Sequence, residues 1–204
     1  FTVILCVHVF AAMMLTEAQK RFGLTVPFHF LATDYTCSPG VNGLSAQTWF
    51  VPAADLLSEF VACGISREKL LATGIPVKRA FYDPTERAEA RRRLGLPEDK
   101  RILLLCCGSM GCGHIEKEVP LLDRRMPPQV LTVVVCGNNR ALYEKLTKTP
   151  VDGVQVVGFT QEMPLYMAAA DICVTKPGGL TCTELLVSGC PAVLLLAVPG
   201  CESR

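Results

Sequence analysis

No stretch of this sequence reaches the roughly 20 consecutive apolar residues that a membrane-crossing helix requires. The nearest, Phe1 to Leu15, contains His8 and lacks a basic leader. It reads as a buried strand through about Val7 followed by a helix ending near Gly23, not as a signal or an anchor. Charge is also scarce: 19% of residues are charged and the formal net charge is +1, so the chain as a whole has no pull toward nucleic acid. The 11 cysteines are odd in number and include no C-x-x-C spacing. Most lie in apolar strands (Cys6, Cys106, Cys107, Cys136, Cys173) or on one helix (Cys182, Cys190), the pattern of buried thiols in a reducing compartment rather than a disulfide scaffold. The one cluster of potential metal ligands is Cys106, Cys107, Cys112 and His114. Neighbouring strand positions face opposite sides, so these groups are not expected to converge and no metal is expected.

What the sequence does have is core. Half of its 204 residues are hydrophobic and the mean hydropathy is +0.34, which places it among compact folded chains of one large or two modest domains. It opens on Phe1 and stops at Arg204, four residues after a Pro-Gly turn, so both ends are expected to be cut from something longer. Short apolar runs alternate with amphipathic ones. Strands are expected at Thr2–Val7, Phe28–Ala32, Thr48–Val51, Lys69–Ala72, Ile102–Cys107, Thr132–Cys136, Val154–Val157, Ile172–Val174 and Ala192–Leu196. Helices are expected at Ala11–Phe22, Ala53–Cys63, Thr85–Leu94, Ala141–Thr147, Met163–Ala170 and Thr181–Ser188. Such alternation predicts an α/β chain with parallel sheets and crossover helices. The segment Gly74–Pro84, with two prolines and no clear period, predicts a junction between two domains, residues 1–78 and 79–204.

In open α/β sheets ligands bind beyond the carboxyl ends of the strands, and the run Asp171-Ile-Cys-Val-Thr-Lys-Pro-Gly-Gly-Leu-Thr-Cys-Thr-Glu184 supplies such an end. An apolar strand leads into paired glycines and then a helix, whose unsatisfied first N–H groups suit phosphate. Glu184, further along the helix, has the acceptor capacity for a ribose diol. The plainer alternative is an ordinary strand-to-helix turn with Glu184 as a first-turn acid complementing the helix dipole. Gly108-Ser-Met-Gly-Cys-Gly113 is a second candidate phosphate loop or a relaxed tight turn. Gly158-Phe159 offers exposed backbone and a ring for a flat base, against the alternative of a buried Phe. The first of these loops reads G-x-x-G-x-G, and Cys136-Gly137-Asn138 stands where a dinucleotide fold would end its next strand in an acid, which argues against a nicotinamide enzyme.

Thr33-Asp-Tyr-Thr-Cys-Ser-Pro39, Thr73-Gly-Ile-Pro-Val77, Gly158-Phe159, Ala169-Ala-Asp171, Thr175-Lys-Pro-Gly-Gly-Leu-Thr181 with Glu184, and Pro199-Gly-Cys-Glu202 occur in this order. Together they resemble the monogalactosyldiacylglycerol synthase and processive diacylglycerol glucosyltransferase family, of which MurG is a more distant relative. The resemblance spans essentially the whole chain. It implies two Rossmann-like domains of the GT-B type, the N-terminal one incomplete and on the acceptor side, the C-terminal one holding a UDP-sugar. On it, Gly158 and Phe159 bracket uracil, Lys176, Pro177, Gly178, Gly179, Leu180 and Thr181 hold the diphosphate, and Glu184 binds the ribose. Gly108, Ser109, Gly137 and Asn138 line the donor pocket.

The implied reaction is inverting transfer of a hexose from a UDP-sugar to a diacylglycerol-type lipid. It calls for a base near the acceptor hydroxyl and positive potential at the diphosphate. No D-x-D occurs, consistent with a helix N-terminus and Lys176 rather than a metal ion at the leaving group, and no cofactor is implied. His8 and Asp34 end strands on the acceptor side and are the candidate catalytic residues, with a turn-bonded histidine and a capping aspartate as the alternatives. The resemblance further implies a cytoplasmic protein making peripheral membrane contact. Two departures stand out. The family's glycine-rich loop with its candidate base histidine does not occur in this sequence, and Cys201 replaces the glutamine of Pro-Gly-Gln-Glu. His114 has no counterpart and no assigned role. The alternatives are a MurG-like transferase, a UDP-sugar epimerase or a non-catalytic UDP-sugar-binding module.

Overall fold

Four parallel strands, taken in chain order, make the first sheet: β1 (Ile4–Cys6), β2 (Phe28–Leu31), β3 (Trp49–Val51) and β4 (Leu70–Ala72). The computed structural model describes residues 3–83, 85–106, 119 and 126–195. Helix α1 (Val9–Phe22) returns the chain from β1 to β2, and α2 (Leu57–Ala62) from β3 to β4. His8 starts α1, its Nδ1 accepting the Phe10 N–H at 3.3 Å, while Lys20 and Arg21 occupy the last turn and Gly23 ends the helix at φ 64°. Both ends therefore follow the usual capping logic, with cations at the negative pole and glycine in the left-handed region. Ala12 and Thr16, one turn apart, are the buried positions of α1. Large side chains fill the core beneath: Phe28, Trp49, Val51, Phe60 and Leu70 are fully buried, and the Phe30 and Trp49 rings lie 4.8 Å apart.

A second unit begins where the first ends, the division falling between Pro76 and Val77. Its helices are α3 (Arg87–Leu94), α4 (Arg140–Lys148), α5 (Met163–Ala169) and α6 (Gly179–Val187). Its strands are β5 (Arg101–Cys106), β6 (Val130–Val135), β7 (Val154–Val157), β8 (Ile172–Thr175) and β9 (Ala192–Leu194). They form one parallel sheet ordered β7-β6-β5-β8-β9. Both faces of the central strands are covered, as a parallel sheet requires. Ile102, Leu104 and Cys106 of β5 pack with Val133, Val135 and Cys173 and with residues of α3, α5 and α6. Leu105 points the other way, toward Val134, Leu142 and Leu146.

The period-2 and period-3.6 patterns place every described strand and helix in its expected region, with small shifts of register. The run Ala53–Cys63 divides into a 3-10 turn at Ala54–Leu56 followed by α2, and α6 begins at Gly179 rather than Thr181. Cys136 falls just beyond β6 yet remains buried.

Asp171, quoted above as part of a motif run, has its role at the amino edge of this second sheet. Its Oδ2 accepts the Arg91 Nη2–H at 2.8 Å and the Ile102 N–H at 2.7 Å; its Oδ1 accepts from Arg87 Nη1 at 3.1 Å and Arg101 Nη1 at 3.2 Å. Burial alone would raise the Asp171 pKa, but the Ile102 amide and the three guanidinium groups outweigh it and hold the carboxyl below its ordinary value. Arg91 is itself buried and donates further to the carbonyls of Ala169, Glu98 and Lys100, each at 3.1 Å. This clasp ties α3 to the start of β5 and β8, away from the carboxyl edge.

Candidate functional site

In the second unit the chain lays down β5, β6 and β7 in one direction and then reverses to place β8 on the other side of β5. The crevice beyond the carboxyl ends of β5 and β8 is thus the topological switch point, where ligands of open α/β sheets bind. From β8 the chain passes through Lys176, Pro177 and Gly178 into α6. Gly178 turns tightly, its N–H donating to the Lys176 carbonyl at 2.9 Å, and serves as N-cap with φ −77° and ψ 136°. No side chain caps this helix. A cap residue such as serine would occupy its first amides; with glycine there, they are left for a ligand and carry the positive end of the helix dipole.

Glu184 is the sixth residue of α6, a turn and a half in, and the first turn contains no acid. The alternative of a first-turn acid complementing the dipole therefore does not hold. Glu184 is half-buried, and burial raises its pKa, opposed by the charge of Lys78. A carboxyl kept partly from water, with acceptor capacity to spare, suits a pair of neighbouring hydroxyls. Thr183 turns back into its own helix, donating to the Gly179 carbonyl at 2.8 Å.

Two further turns share this edge. After β6, Gly137 adopts φ 58°, Asn138 is exposed, and the Asn139 Oδ1 caps α4 by accepting the Leu142 N–H at 3.0 Å. After β7, a side chain at Gly158 would meet the Tyr143 ring at 3.6 Å, and Phe159 is 63% exposed. The buried alternative for Phe159 is thereby corrected: the ring stands free as a platform at the strand end. With two strands between β7 and β8, the Phe159 and Lys176 turns are separated by roughly 14 Å at about 4.8 Å per strand. Gly108, Ser109, Cys107, Cys112, His114, Cys201 and Glu202 lie outside the described residues, so the calls that fall on them have no structural counterpart here. The described cysteines are all thiols.

In the first unit, His8 and Asp34 follow adjacent parallel strands, β1 and β2, and so reach the same carboxyl edge. His8 Nδ1 accepts the Phe10 N–H at 3.3 Å, so Nε2 is the ring nitrogen that remains for an acceptor. The chain after Asp34 is tied down by a residue the motifs did not reveal. Glu59 Oε1 accepts from Thr36 Oγ1 at 2.6 Å and from the Cys37 N–H at 2.7 Å. At the other end of the loop Thr16 Oγ1 accepts from the Ser45 N–H at 3.2 Å. A lone glutamate in an amphipathic helix gives no sequence signal for such a role.

Two family models match. Residues 102–198 match the glycosyltransferase family 28 C-terminal domain, and residues 2–77 match monogalactosyldiacylglycerol (MGDG) synthase. A processive diacylglycerol beta-glucosyltransferase from Staphylococcus saprophyticus is 29% identical over 95% of this chain and 50% of its own length. Among solved structures, Anabaena HepE in complex with UDP and glucose superposes with a TM-score of 0.63 at 18% identity, covering 97% of this chain and 60% of HepE. MurG of Acinetobacter baumannii does so with a TM-score of 0.53 at 19% identity, covering 94% and 56%. The fold is that of the Rossmann-like GT-B glycosyltransferases. Within that class, the matched segments and the relatives make the chain similar to the monogalactosyldiacylglycerol synthases and processive diacylglycerol glucosyltransferases. It spans about half the length of the curated relatives it matches.

Proposed function

We propose that this chain carries the UDP-sugar site of an inverting hexosyltransferase whose acceptor is a diacylglycerol-type lipid. The observation that carries the reading is the uncapped N-terminus of α6, entered through Lys176-Pro-Gly-Gly179 at the switch point of the second sheet. There the amides of Gly179, Leu180 and Thr181, with Lys176, hold the diphosphate and stabilise the charge that builds on UDP as it leaves. Glu184 accepts from the ribose hydroxyls. Gly158 and Phe159 receive the uracil, and Gly108, Ser109, Gly137 and Asn138 complete the pocket. Residues 1–78 then form the acceptor side and residues 79–204 the donor side.

In the transfer itself the acceptor hydroxyl attacks the anomeric carbon, the bond from that carbon to the UDP oxygen breaks, and the hydroxyl proton passes to a base. His8, its Nδ1 engaged by the Phe10 N–H, orients the acceptor through Nε2, and Asp34 supplies a carboxylate at the same edge. No metal ion is needed, because the helix N-terminus and Lys176 provide the positive potential. Among the described residues no helix is long and apolar enough to cross a membrane, and we place the protein at the cytoplasmic face as a peripheral enzyme. The test is transfer by the full-length protein from radiolabelled UDP-glucose or UDP-galactose to diacylglycerol in mixed micelles. A β-linked glycolipid is expected. Conversion of the UDP-sugar without acceptor would point to an epimerase, and tight UDP binding with no turnover to a binding module; either would overturn the transferase reading.

A further inference from the structure

Helix α1 buries Ala12 and Thr16, and Ala12 packs in the core of the first unit. Phe10 and Met14, each two residues from Ala12 and so about 200° round the helix from it, stand on the outer side, 66% and 74% exposed. Phe22 in the last turn is 76% exposed, and Leu24, just past the Gly23 cap, is exposed too. Large apolar side chains presented together in this way mark an interaction surface, where single ones would not. The surface is continuous with the candidate acceptor edge. The Phe10 and His8 rings lie 5.2 Å apart, and Met13 borders the loop that follows Asp34, since a side chain at Gly40 would meet the Met13 Sδ at 3.5 Å. At its far end the helix is cationic. Lys20 and Arg21 occupy the last turn, and the acid of the helix, Glu17, pairs with Arg21 at 2.6 Å.

We propose that the outer face of α1 is the surface by which the protein lies on an anionic lipid bilayer, Met14 and Phe22 entering the boundary between headgroups and acyl chains and Lys20 meeting lipid phosphates. This rests on the reading of the first unit as the acceptor side of a lipid glycosyltransferase. Exposed aromatic and thioether side chains beside cations are the composition of helices that lie within a membrane interface. At 14 residues, with its inner side packed on a protein core, α1 lies on the bilayer and does not span it. Docked in this way, the start of the helix brings His8 to the lipid surface, where the hydroxyl of a diacylglycerol is found.

The experiment measures co-sedimentation of the full-length protein with vesicles of phosphatidylcholine, with and without phosphatidylglycerol. Sugar transfer is followed in parallel to diacylglycerol embedded in those vesicles and to a dispersed short-chain diacylglycerol. Met14→Ser combined with Phe22→Ser should weaken vesicle binding by about tenfold or more, because each change withdraws an apolar side chain from lipid. Lys20→Gln should weaken binding to the anionic vesicles alone, by roughly fivefold. In the double variant, transfer to the embedded acceptor should fall with binding while transfer to the dispersed acceptor stays at the wild-type rate. The melting temperature should not move, since both side chains are exposed. Unchanged vesicle binding in the double variant overturns the inference. So does a lowered melting temperature with binding intact, which would mean that another part of the full-length protein or a second copy covers this face. Failure of the reaction is read separately: a wild type that transfers sugar to neither acceptor overturns the lipid-transferase reading, and loss of vesicle binding in the double variant still supports the surface.

Discussion

Replacing Asp171 with asparagine keeps the shape of the clasp at the amino edge of the second sheet and removes its charge. The Arg91 side chain is only 8% exposed and that of Asp171 15%, and the other acceptors of Arg91 are neutral carbonyls. The substitution therefore strands a buried cation, which costs about 3–5 kcal/mol. The partners Arg87 and Arg101 are 50% and 77% exposed, so each of those pairs is worth at most about 1 kcal/mol. Asp171→Asn should lower the melting temperature by roughly 6–20 °C, at about 2–4 °C per kcal/mol for a chain of this size. Arg101→Ala should lower it by no more than a few degrees. The sign of the pH dependence follows from the depressed carboxyl pKa. The stabilisation is complete above the ordinary carboxylate value of about 4 and is lost as pH falls through the lower folded value, so wild type and mutant should converge in acid. Urea unfolding across that range measures it. An Asp171→Asn midpoint indistinguishable from that of Arg101→Ala would refute the reasoning.

Phe159 is exposed, so Phe159→Ala should change stability by less than about 0.5 kcal/mol while weakening UDP binding by about 1–3 kcal/mol, the worth of base stacking on an aromatic ring. A fall in melting temperature with unchanged affinity would make it a packing residue. Glu59→Ala removes the shared acceptor of Thr36 and Cys37 and should cost about 2–3 kcal/mol, given about 1.5–3 for each bond to a charged group with partial recovery by water. Faster amide exchange across residues 33–47 is the expected readout, and unchanged exchange would count against the anchor. Transfer activity of the full-length protein should survive chelation, and loss in EDTA restored by a divalent ion would contradict leaving-group stabilisation by α6 and Lys176.

Strand and helix order was legible because it rests on local periodicity, which the packing of both sheets obeys: β5 alternates Ile102, Leu104 and Cys106 onto one face as its pattern requires. The turn after β8 was legible as a helix start without a side-chain cap because paired glycines carry no group that could bond the first amides. Long-range partnerships were not. Asp171 shows in the sequence only as a strand-start acid, and nothing in the run of arginines from Arg91 to Arg93 says that the first is buried against it. Glu184 was identified correctly as a member of α6 but misjudged in depth under its plainer alternative, because the helix starts at Gly179 and the acid falls in the second turn. Phe159 shows how composition misleads: aromatic residues are mostly buried, and this one, at the carboxyl end of an edge strand, is not.

The most direct test of the central claim, that the β8–α6 turn holds a UDP-sugar through its diphosphate and ribose, is calorimetry of UDP binding to wild type and Glu184→Ala. Loss of hydrogen bonds to a charged group is worth about 1.5–3 kcal/mol, roughly ten- to a hundred-fold in affinity. Burial raises the Glu184 pKa, so folding carries the ionised carboxylate at a cost near neutral pH, and its removal should leave the melting temperature equal or higher. Wild-type affinity should decline as pH is lowered toward the raised carboxyl pKa, while that of Glu184→Ala should lack this decline. Equal UDP affinity in the two proteins, with no difference in pH profile, would contradict the account and place the ribose elsewhere.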